Sequence, residues 1–169
     1  PYTLFEGIRK LEAGCRLRLD DKGTVRIEPW WSLPTEAASQ DITPEQAVRD
    51  VESELRDAVS RRLVADVPVG AFLSGGVDSS LITAMTSQLM GGGRVETFSA
   101  GFGDPRYDEL PYAREVSQAL GTEHHELLIE PGKFQDLWPK LTWHRDAPIS
   151  EPADIAIFQL ASMAREHVK

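Results

Sequence analysis

The sequence has a single cysteine, no long apolar run and no excess of basic residues. Cys15 therefore has no partner for an internal disulfide, and no apolar stretch approaches the roughly 20 residues of a membrane-spanning helix. With 18 Lys+Arg against 27 Asp+Glu and a net charge of -9, no basic face attracts nucleic acid or anionic lipid. A signal-peptide pattern is also missing. These absences predict a cytoplasmic protein that binds neither nucleic acid nor membrane.

The first 33 residues carry a different pattern from the rest of the chain. Apolar and charged residues alternate over 15–19 and 25–28 around a turn at 21–23, which predicts a β-hairpin with one buried face. Because a two-stranded ribbon is marginally stable by itself, this face should pack against the rest of the chain or against another domain. Residues 34–42 contain proline, alanine and small polar residues, and they are predicted to form a linker.

From residue 43 onward, helical and strand periodicities alternate. The predicted strands are 67–73, 95–100 and 123–129, and the predicted helices are 43–63, 79–90, 108–120, 134–141 and one from about residue 152. This order predicts an α/β fold over 43–169, part of a doubly wound parallel sheet with helices on both faces. Ligands of such sheets bind beyond the carboxyl ends of the strands, so the loops after Leu73, Ala100 and Ile129 are the candidate site.

The loop after the first predicted parallel strand has the composition of a phosphate-binding site. It reads Leu73-Ser74-Gly75-Gly76-Val77-Asp78-Ser79-Ser80 and leads into a helix. Its two glycines allow a sharp turn and a close backbone approach to a ligand, and its serines add hydroxyl donors. Since a helix N-terminus also favours oxyanions, this loop is predicted to bind phosphate.

Asp78 indicates a metal ion in the same loop. A carboxylate among phosphate oxygens is repelled unless a cation lies between them, and Mg²⁺ is commonly held by one or two carboxylates plus substrate phosphates. A plainer interpretation stays open, in which Asp78 or Ser79 only caps the helix and the glycines only form a tight turn.

Motifs of other nucleotide and nucleophile sites are absent from this loop. Gly76 stands where a Walker loop has its lysine, and no Gly-x-Gly-x-x-Gly pattern occurs in the sequence. Phe72 stands where a nucleophile elbow has its first glycine. These differences disfavour a P-loop nucleoside triphosphatase, a dinucleotide-binding Rossmann domain and an acyl-enzyme at Ser74.

Several motifs together resemble one family. The loop 74–80 looks like the pyrophosphate loop of the ATP pyrophosphatase superfamily, and its surroundings resemble the synthetase domain of glutamine-dependent asparagine synthetases. The other matching segments of that domain are Asp66–Leu73, Thr97–Phe102, Tyr107–Glu109, Leu120–Glu126, Asp146–Pro148 and Pro152. Residues Leu4–Trp31, with Gly7–Leu11 and Pro29–Trp31, resemble the closing strands of the amino-terminal glutaminase domain of that family.

The resemblance implies a fold of the adenine nucleotide α-hydrolase type and the synthesis of asparagine. Aspartate would react with ATP to give β-aspartyl-AMP, which ammonia released from glutamine would then convert to asparagine. The implied site residues are Ser74, Gly75, Gly76, Ser79 and Ser80 for pyrophosphate, Asp78 for Mg²⁺, and Leu73 and Ala100 for adenosine. Asp146 and Glu151 fall at candidate substrate-pocket positions, with ordinary loop caps as an equal alternative. The resemblance assigns no catalytic residue in this chain.

Two features of the family are missing from this sequence. Its glutaminase half uses an amino-terminal cysteine, whereas this chain starts at Pro1, and Cys15 lies in the hairpin, where a structural role is expected. A second glycine-acid motif and a later lysine do not occur before Lys169. We therefore expect a fragment of a longer enzyme that does not turn over alone. Residues 1–33 would end a glutaminase domain, and residues 43–169 would begin a synthetase domain.

Alternative interpretations stay open. A β-lactam synthetase or another amidotransferase homologue would adenylate a different carboxylate, and a non-catalytic nucleotide-binding module would keep the loop without turnover. The acidic charge disfavours a tRNA-modifying pyrophosphatase. His124 and His125 are adjacent in a predicted strand and should point to opposite faces, so packing is expected there in place of a metal site. A homo-oligomer is compatible with the sequence.

Overall fold

The computed structural model describes residues 2–34, 42–91, 93–106, 108–149, 151 and 153–168. The chain divides into two compact units, Pro1–Thr43 and Pro44–Lys169. Most of the predicted linker, residues 35–41, lies outside the described residues. Among the helices of the described part of the chain, none is long and apolar enough to cross a membrane.

The first unit contains the predicted hairpin. Strands β1 (Cys15–Leu19) and β2 (Val25–Pro29) pair antiparallel, with Leu17 opposite Ile27 and Leu19 opposite Val25. These four side chains lie on one face because residues two apart along a strand point the same way. All four side chains are more than half exposed in this chain, and the packing of this face against another domain stays a prediction. Two strands alone have no second layer to cover one of their faces.

The second unit alternates helices and strands as predicted. Its elements are α1 (Pro44–Arg62), β3 (Gly70–Phe72), α2 (Val77–Leu89), β4 (Glu96–Gly101), α3 (Leu110–Leu120), β5 (Glu123–Leu128), α4 (Pro131–Arg145) and α5 (Ala153–Ala164). The strand β3 is shorter than predicted, and α4 extends the predicted helix 134–141 in both directions, with Pro139 inside it. The sequence pattern therefore identified every element of this unit and misplaced some ends.

The three strands of the second unit form one parallel sheet in the order β3-β4-β5. Two successive right-handed crossovers that move the same way across a sheet place their helices on one face. Accordingly α2 and α3 contact each other, and α3 packs on β4 and β5. Helix α5 also packs on β4 and β5, but through the alternate side chains, so helices cover both faces of this sheet.

The side chains of β4 show the two faces. Phe98 is 1% exposed and packs against Leu160 and Ala164 of α5. Its neighbours Thr97 and Ser99 are equally buried and point to the other side of the sheet, the α3 face. A second cluster of Leu141, Ile149 and Ile155 joins α4, the following loop and α5. The central strand β4 is therefore buried on both faces, one of which carries the apolar Phe98 and the other the hydroxyls of Thr97 and Ser99.

Candidate functional site

The loop between β3 and α2 is held by its own serine hydroxyls. Ser79 Oγ lies 2.9 Å from Ser74 Oγ, accepts a hydrogen bond from the Ser74 N–H at 3.2 Å and donates to the Gly76 carbonyl at 3.2 Å. Ser74 Oγ also accepts the Gly76 N–H at 3.2 Å. The predicted phosphate-binding residues are thus brought together, and the Ser79 hydroxyl positions the loop.

Gly75 is the residue of this loop that no other amino acid could replace without strain. Its φ of 82° lies in the left-handed region, which an L residue occupies at a cost of roughly 1–2 kcal/mol. A Cβ at this position would also lie 2.6 Å from the backbone nitrogen of Ala113 and 2.6 Å from the Cβ of Tyr112. The first turn of α3 therefore packs directly against the loop, and only a glycine fits between them.

The first turn of α2 offers backbone donors to a ligand. Gly76 is the N-cap residue and has no side chain with which to cap the helix. The first helical hydrogen bond runs from the Ser80 N–H to the Gly76 carbonyl at 3.0 Å. The plainer prediction, that Asp78 or Ser79 is the N-cap, is wrong. Because the first amides of a helix have no partner within it, the N–H groups of Val77, Asp78 and Ser79 are free of intrahelical bonds.

Asp78 and Ser80 lie in the same turn but in different surroundings. The Asp78 carboxylate is exposed in the first turn of α2, where it is accessible to a cation. The Ser80 hydroxyl is buried and has no hydrogen-bond partner among the described residues. Buried hydroxyls in folded proteins nearly always have a hydrogen-bond partner, so Ser80 is a candidate contact for a ligand of this loop.

Leu73 connects the loop to the centre of the sheet. Its side chain is 1% exposed, its N–H bonds to the Phe98 carbonyl at 2.9 Å, and its carbonyl accepts a hydrogen bond from the Ser99 hydroxyl. Ala100 follows Ser99 at the carboxyl end of β4 and pairs with Leu127. The Leu73 N–H and one lone pair of the Leu73 carbonyl are engaged in these two bonds. The second lone pair of that carbonyl is left for a ligand.

Asp146 and Glu151 flank the loop between α4 and α5. Asp146 ends α4 in the left-handed conformation with φ 51°, and Glu151 is exposed, with its carbonyl bonded to the Asp154 N–H at 3.1 Å. Helix α5 runs antiparallel to the strands, because His167, just after its end, lies beside Glu96 at the amino end of β4. The loop therefore lies toward the carboxyl ends of the strands.

A hydrogen-bonded chain on the α3 face was not predicted from the sequence. Thr97 Oγ1 lies 2.9 Å from His124 Nδ1 and 2.8 Å from Thr122 Oγ1, which is 2.8 Å from Ser117 Oγ of α3. Burial lowers the pKa of His124 from its ordinary value, partly offset by the negative charge of Glu126. These hydrogen bonds connect β4 and β5 to α3, the helix that packs against Gly75.

Glu126 and Arg114 complete the polar groups of that face. Two charge-assisted hydrogen bonds of 2.6 Å join the Glu126 carboxylate to the guanidinium of Arg114 on α3. These bonds lower the pKa of Glu126 below its ordinary value. The sequence placed Thr97, His124 and Glu126 in predicted strands but gave no signal for their partners.

Comparisons with known proteins agree with the motifs. The asparagine synthase family model matches residues 50–169. A Mycobacterium tuberculosis protein assigned as a glutamine-hydrolyzing asparagine synthetase is 33% identical over 171 aligned residues, covering 100% of this chain and 26% of that protein. Asparagine synthetase (glutamine-hydrolyzing) 1 of Bacillus subtilis is 31% identical, covering 99% of this chain and 26% of the relative. The chain thus spans about a quarter of the length of these relatives.

Among solved structures, the chain is similar to an NH3-dependent NAD synthetase of Campylobacter jejuni, with 14% sequence identity and a TM-score of 0.43. That match covers 66% of this chain and 46% of the other. The family model covers more than half of the chain and includes the whole Ser74–Ser80 loop. The chain belongs to the asparagine synthase family.

Proposed function

We propose that this chain contributes the ATP-binding loop of a glutamine-dependent asparagine synthetase. The observation that carries the proposal is the Ser74–Ser80 loop itself, where free helix amides, an orphaned Ser80 hydroxyl and an exposed Asp78 carboxylate adjoin a glycine with no room for a side chain. Membership of the family supports asparagine synthesis as the reaction, and the names of the relatives support glutamine as the source of ammonia.

In this reaction the side-chain carboxylate of aspartate attacks the α-phosphorus of ATP, giving β-aspartyl-AMP and pyrophosphate. Ammonia then displaces AMP. Negative charge grows on the departing pyrophosphate, and amides already aimed at that position stabilise it without reorganisation. The Val77, Asp78 and Ser79 amides supply these donors, while the Ser79 hydroxyl holds the loop in shape.

Asp78 is suited to hold a magnesium ion. Its carboxylate is an exposed oxygen ligand of the kind that Mg²⁺ prefers, in the same helical turn as the amides that would face the phosphates. When bound there, Mg²⁺ would neutralise charge on the pyrophosphate oxygens. Leu73 and Ala100 stand at the carboxyl ends of β3 and β4, which supports a place for adenosine beside them, and the 146–151 loop at the same edge supports a substrate pocket.

The hairpin of the first unit supports the glutaminase part of the proposal. Its face of Leu17, Leu19, Val25 and Ile27 is exposed, so it offers an apolar surface on which further strands of a glutaminase domain would pack. The alignment with the Bacillus subtilis enzyme covers 99% of the chain and therefore includes the hairpin.

Aspartate-dependent exchange of labelled pyrophosphate into ATP tests the function in the full-length protein that contains this chain. Asp78→Asn should lower the exchange rate by roughly a hundredfold or more, the scale of removing one charge-stabilising group. Asp50→Asn, which changes an exposed carboxylate on α1, is the matched control and should leave exchange unchanged.

Exchange at the parental rate in Asp78→Asn would remove the metal assignment. Exchange driven by another carboxylate in place of aspartate would move the protein to a different branch of the family. Transfer of label from glutamine amide nitrogen into asparagine would establish the ammonia source.

A further inference from the structure

A second group of polar side chains lies on the α5 face of the sheet, away from the loop. Glu96 is the first residue of β4, His125 is the third residue of β5, and His167 lies in the turn after α5. One ligand atom from each of the three residues lies within 4.8 Å of the other two. We propose that Glu96, His125 and His167 bind a divalent transition-metal ion, with zinc as the best chemical match.

The register of the sheet brings the first two residues together. Phe98 pairs with His125 and their rings stack at 5.2 Å, so both side chains point to the α5 face. Glu96 lies two residues before Phe98 and shares that face. As a result, His125 Nε2 lies 2.6 Å from Glu96 Oε2.

The packing of α5 brings the third residue to the other two. The turn after α5 is held by backbone bonds from the Glu166, His167 and Val168 amides to the Met163 and Ala164 carbonyls, at 2.8–3.0 Å. Val168 packs on the cluster formed by Phe98, Leu160 and Ala164. The His167 ring consequently lies over the His125 ring, with centroids 3.8 Å apart.

Two imidazoles and one carboxylate form a recognised zinc ligand set, with a fourth position open to water. Bond lengths of about 2.0–2.1 Å place tetrahedral ligand atoms about 3.4 Å apart. The cluster reaches that spacing if the Glu96–His125 contact lengthens and the exposed His167 side chain rotates inward.

Charge on this face also favours a cation. Glu96 and Glu123 are register partners on adjacent strands, so two carboxylates stand side by side. Arg94 pairs with Glu123 at 3.1 Å, whereas Glu96 pairs with an imidazole, which is a cation only when protonated. A bound divalent ion would balance the second carboxylate and would tie the end of α5 to the sheet.

This site is separate from the magnesium position proposed at Asp78. Asp78 follows the carboxyl end of β3, whereas Glu96 is at the amino end of β4. The chemistry also differs, because imidazole nitrogen suits zinc, nickel and cobalt, and Mg²⁺ prefers oxygen ligands. The inference therefore does not depend on the proposed function.

Cobalt binding to the full-length protein tests the proposal. The protein is stripped of metal by dialysis against a chelator, titrated with CoCl₂ and followed by the visible absorption of bound cobalt, and ZnCl₂ is then added as a competitor. We expect one zinc-displaceable cobalt site that depends on these residues. His167→Gln should weaken cobalt binding at least tenfold, since even the loss of a group that only hydrogen-bonds to a metal ligand costs roughly 10–100-fold in affinity.

Two further variants serve as a control and as a second test in the cobalt titration. His144→Gln changes an exposed histidine on α4 and should leave cobalt affinity unchanged, and Glu96→Gln should weaken cobalt binding as His167→Gln does. Pyrophosphate exchange should stay at the parental rate in His167→Gln. Equal cobalt affinity in the parent protein and His167→Gln, or an absence of zinc-displaceable cobalt in the parent, would overturn the proposal and leave Glu96 and His125 as a hydrogen-bonded pair only.

Discussion

The two faces of β4 are held by different forces, although the strand itself is only six residues long. On the α5 face, Phe98 packs against apolar side chains and stacks on His125. On the α3 face, Thr97 and Ser99 are equally buried but make hydrogen bonds. The apolar face supplies most of the stability by burial. The hydroxyl face determines position, since its bonds reach α3 and the Leu73 carbonyl that precedes the Ser74–Ser80 loop.

Removing the Phe98 ring is the strongest test of whether the α5 face of β4 supplies most of the stability. Phe98→Ala deletes a side chain that is 1% exposed and should lower the free energy of unfolding by about 3–5 kcal/mol. Phe102→Ala is the matched control, because that ring is 52% exposed and its loss should cost far less. Urea denaturation followed by circular dichroism measures both. Similar losses in the two variants would show that the α5 face is not the core.

Gly75 tests the contact between the Ser74–Ser80 loop and α3. Gly75→Ala combines the strain of a positive φ, about 1–2 kcal/mol, with a clash against the Tyr112–Ala113 backbone. We expect lower stability and a loss of pyrophosphate exchange. Gly132→Ala, at a helical position with open space for a Cβ, should be neutral or slightly stabilising. An active Gly75→Ala variant would mean that the loop does not need this close approach.

Ser99 tests the hydroxyl face. Ser99→Ala removes the hydrogen bond to the Leu73 carbonyl and should cost about 1 kcal/mol of stability. It should also raise the KM for ATP, because Leu73 precedes the loop. Ser162→Ala removes an exposed hydroxyl that donates to the Phe158 carbonyl at 2.8 Å, and its effect should be smaller. Thermal unfolding and initial-rate kinetics distinguish these outcomes.

His124 gives the smallest expected effect, which depends on pH. Burial lowers the pKa of His124 in the folded protein, so the unfolded chain takes up a proton first as the pH falls through about 6.5. Protonation then favours unfolding, and stability decreases as the pH falls. His124→Gln should flatten the change in urea midpoint between about pH 7.5 and 5.5, while His144→Gln should keep the parental slope. An unchanged slope in His124→Gln would contradict the buried environment.

The elements of the second unit were predictable because their signals are local. Apolar periodicity marks α1 and α3, and Gly121 ends α3 in the left-handed conformation with φ 68°, as expected for a helix-terminating glycine. The pairing of the hairpin was also predictable from alternation around its turn. Its exposure was not, because whether an apolar face is covered depends on what packs against it.

The contacts within the Ser74–Ser80 loop were predictable from the sequence, whereas its contacts with distant residues were not. Ser74, Gly75 and Ser79 lie within six residues of one another, so their contacts follow from a short, self-contained turn. Tyr112 lies more than thirty residues later, and its backbone approaches Gly75 only because α3 returns to the same face of the sheet.

The sequence alone determined the family, the alternation of helices and strands, and the composition of the Ser74–Ser80 loop, because each of these depends on residues that are close along the chain. Only the tertiary structure decided that His124 bonds to Thr97 on one face while His125 meets Glu96 and His167 on the other. The physical reason is that strand register and helix packing join residues that are distant along the chain, and local patterns do not encode those distances.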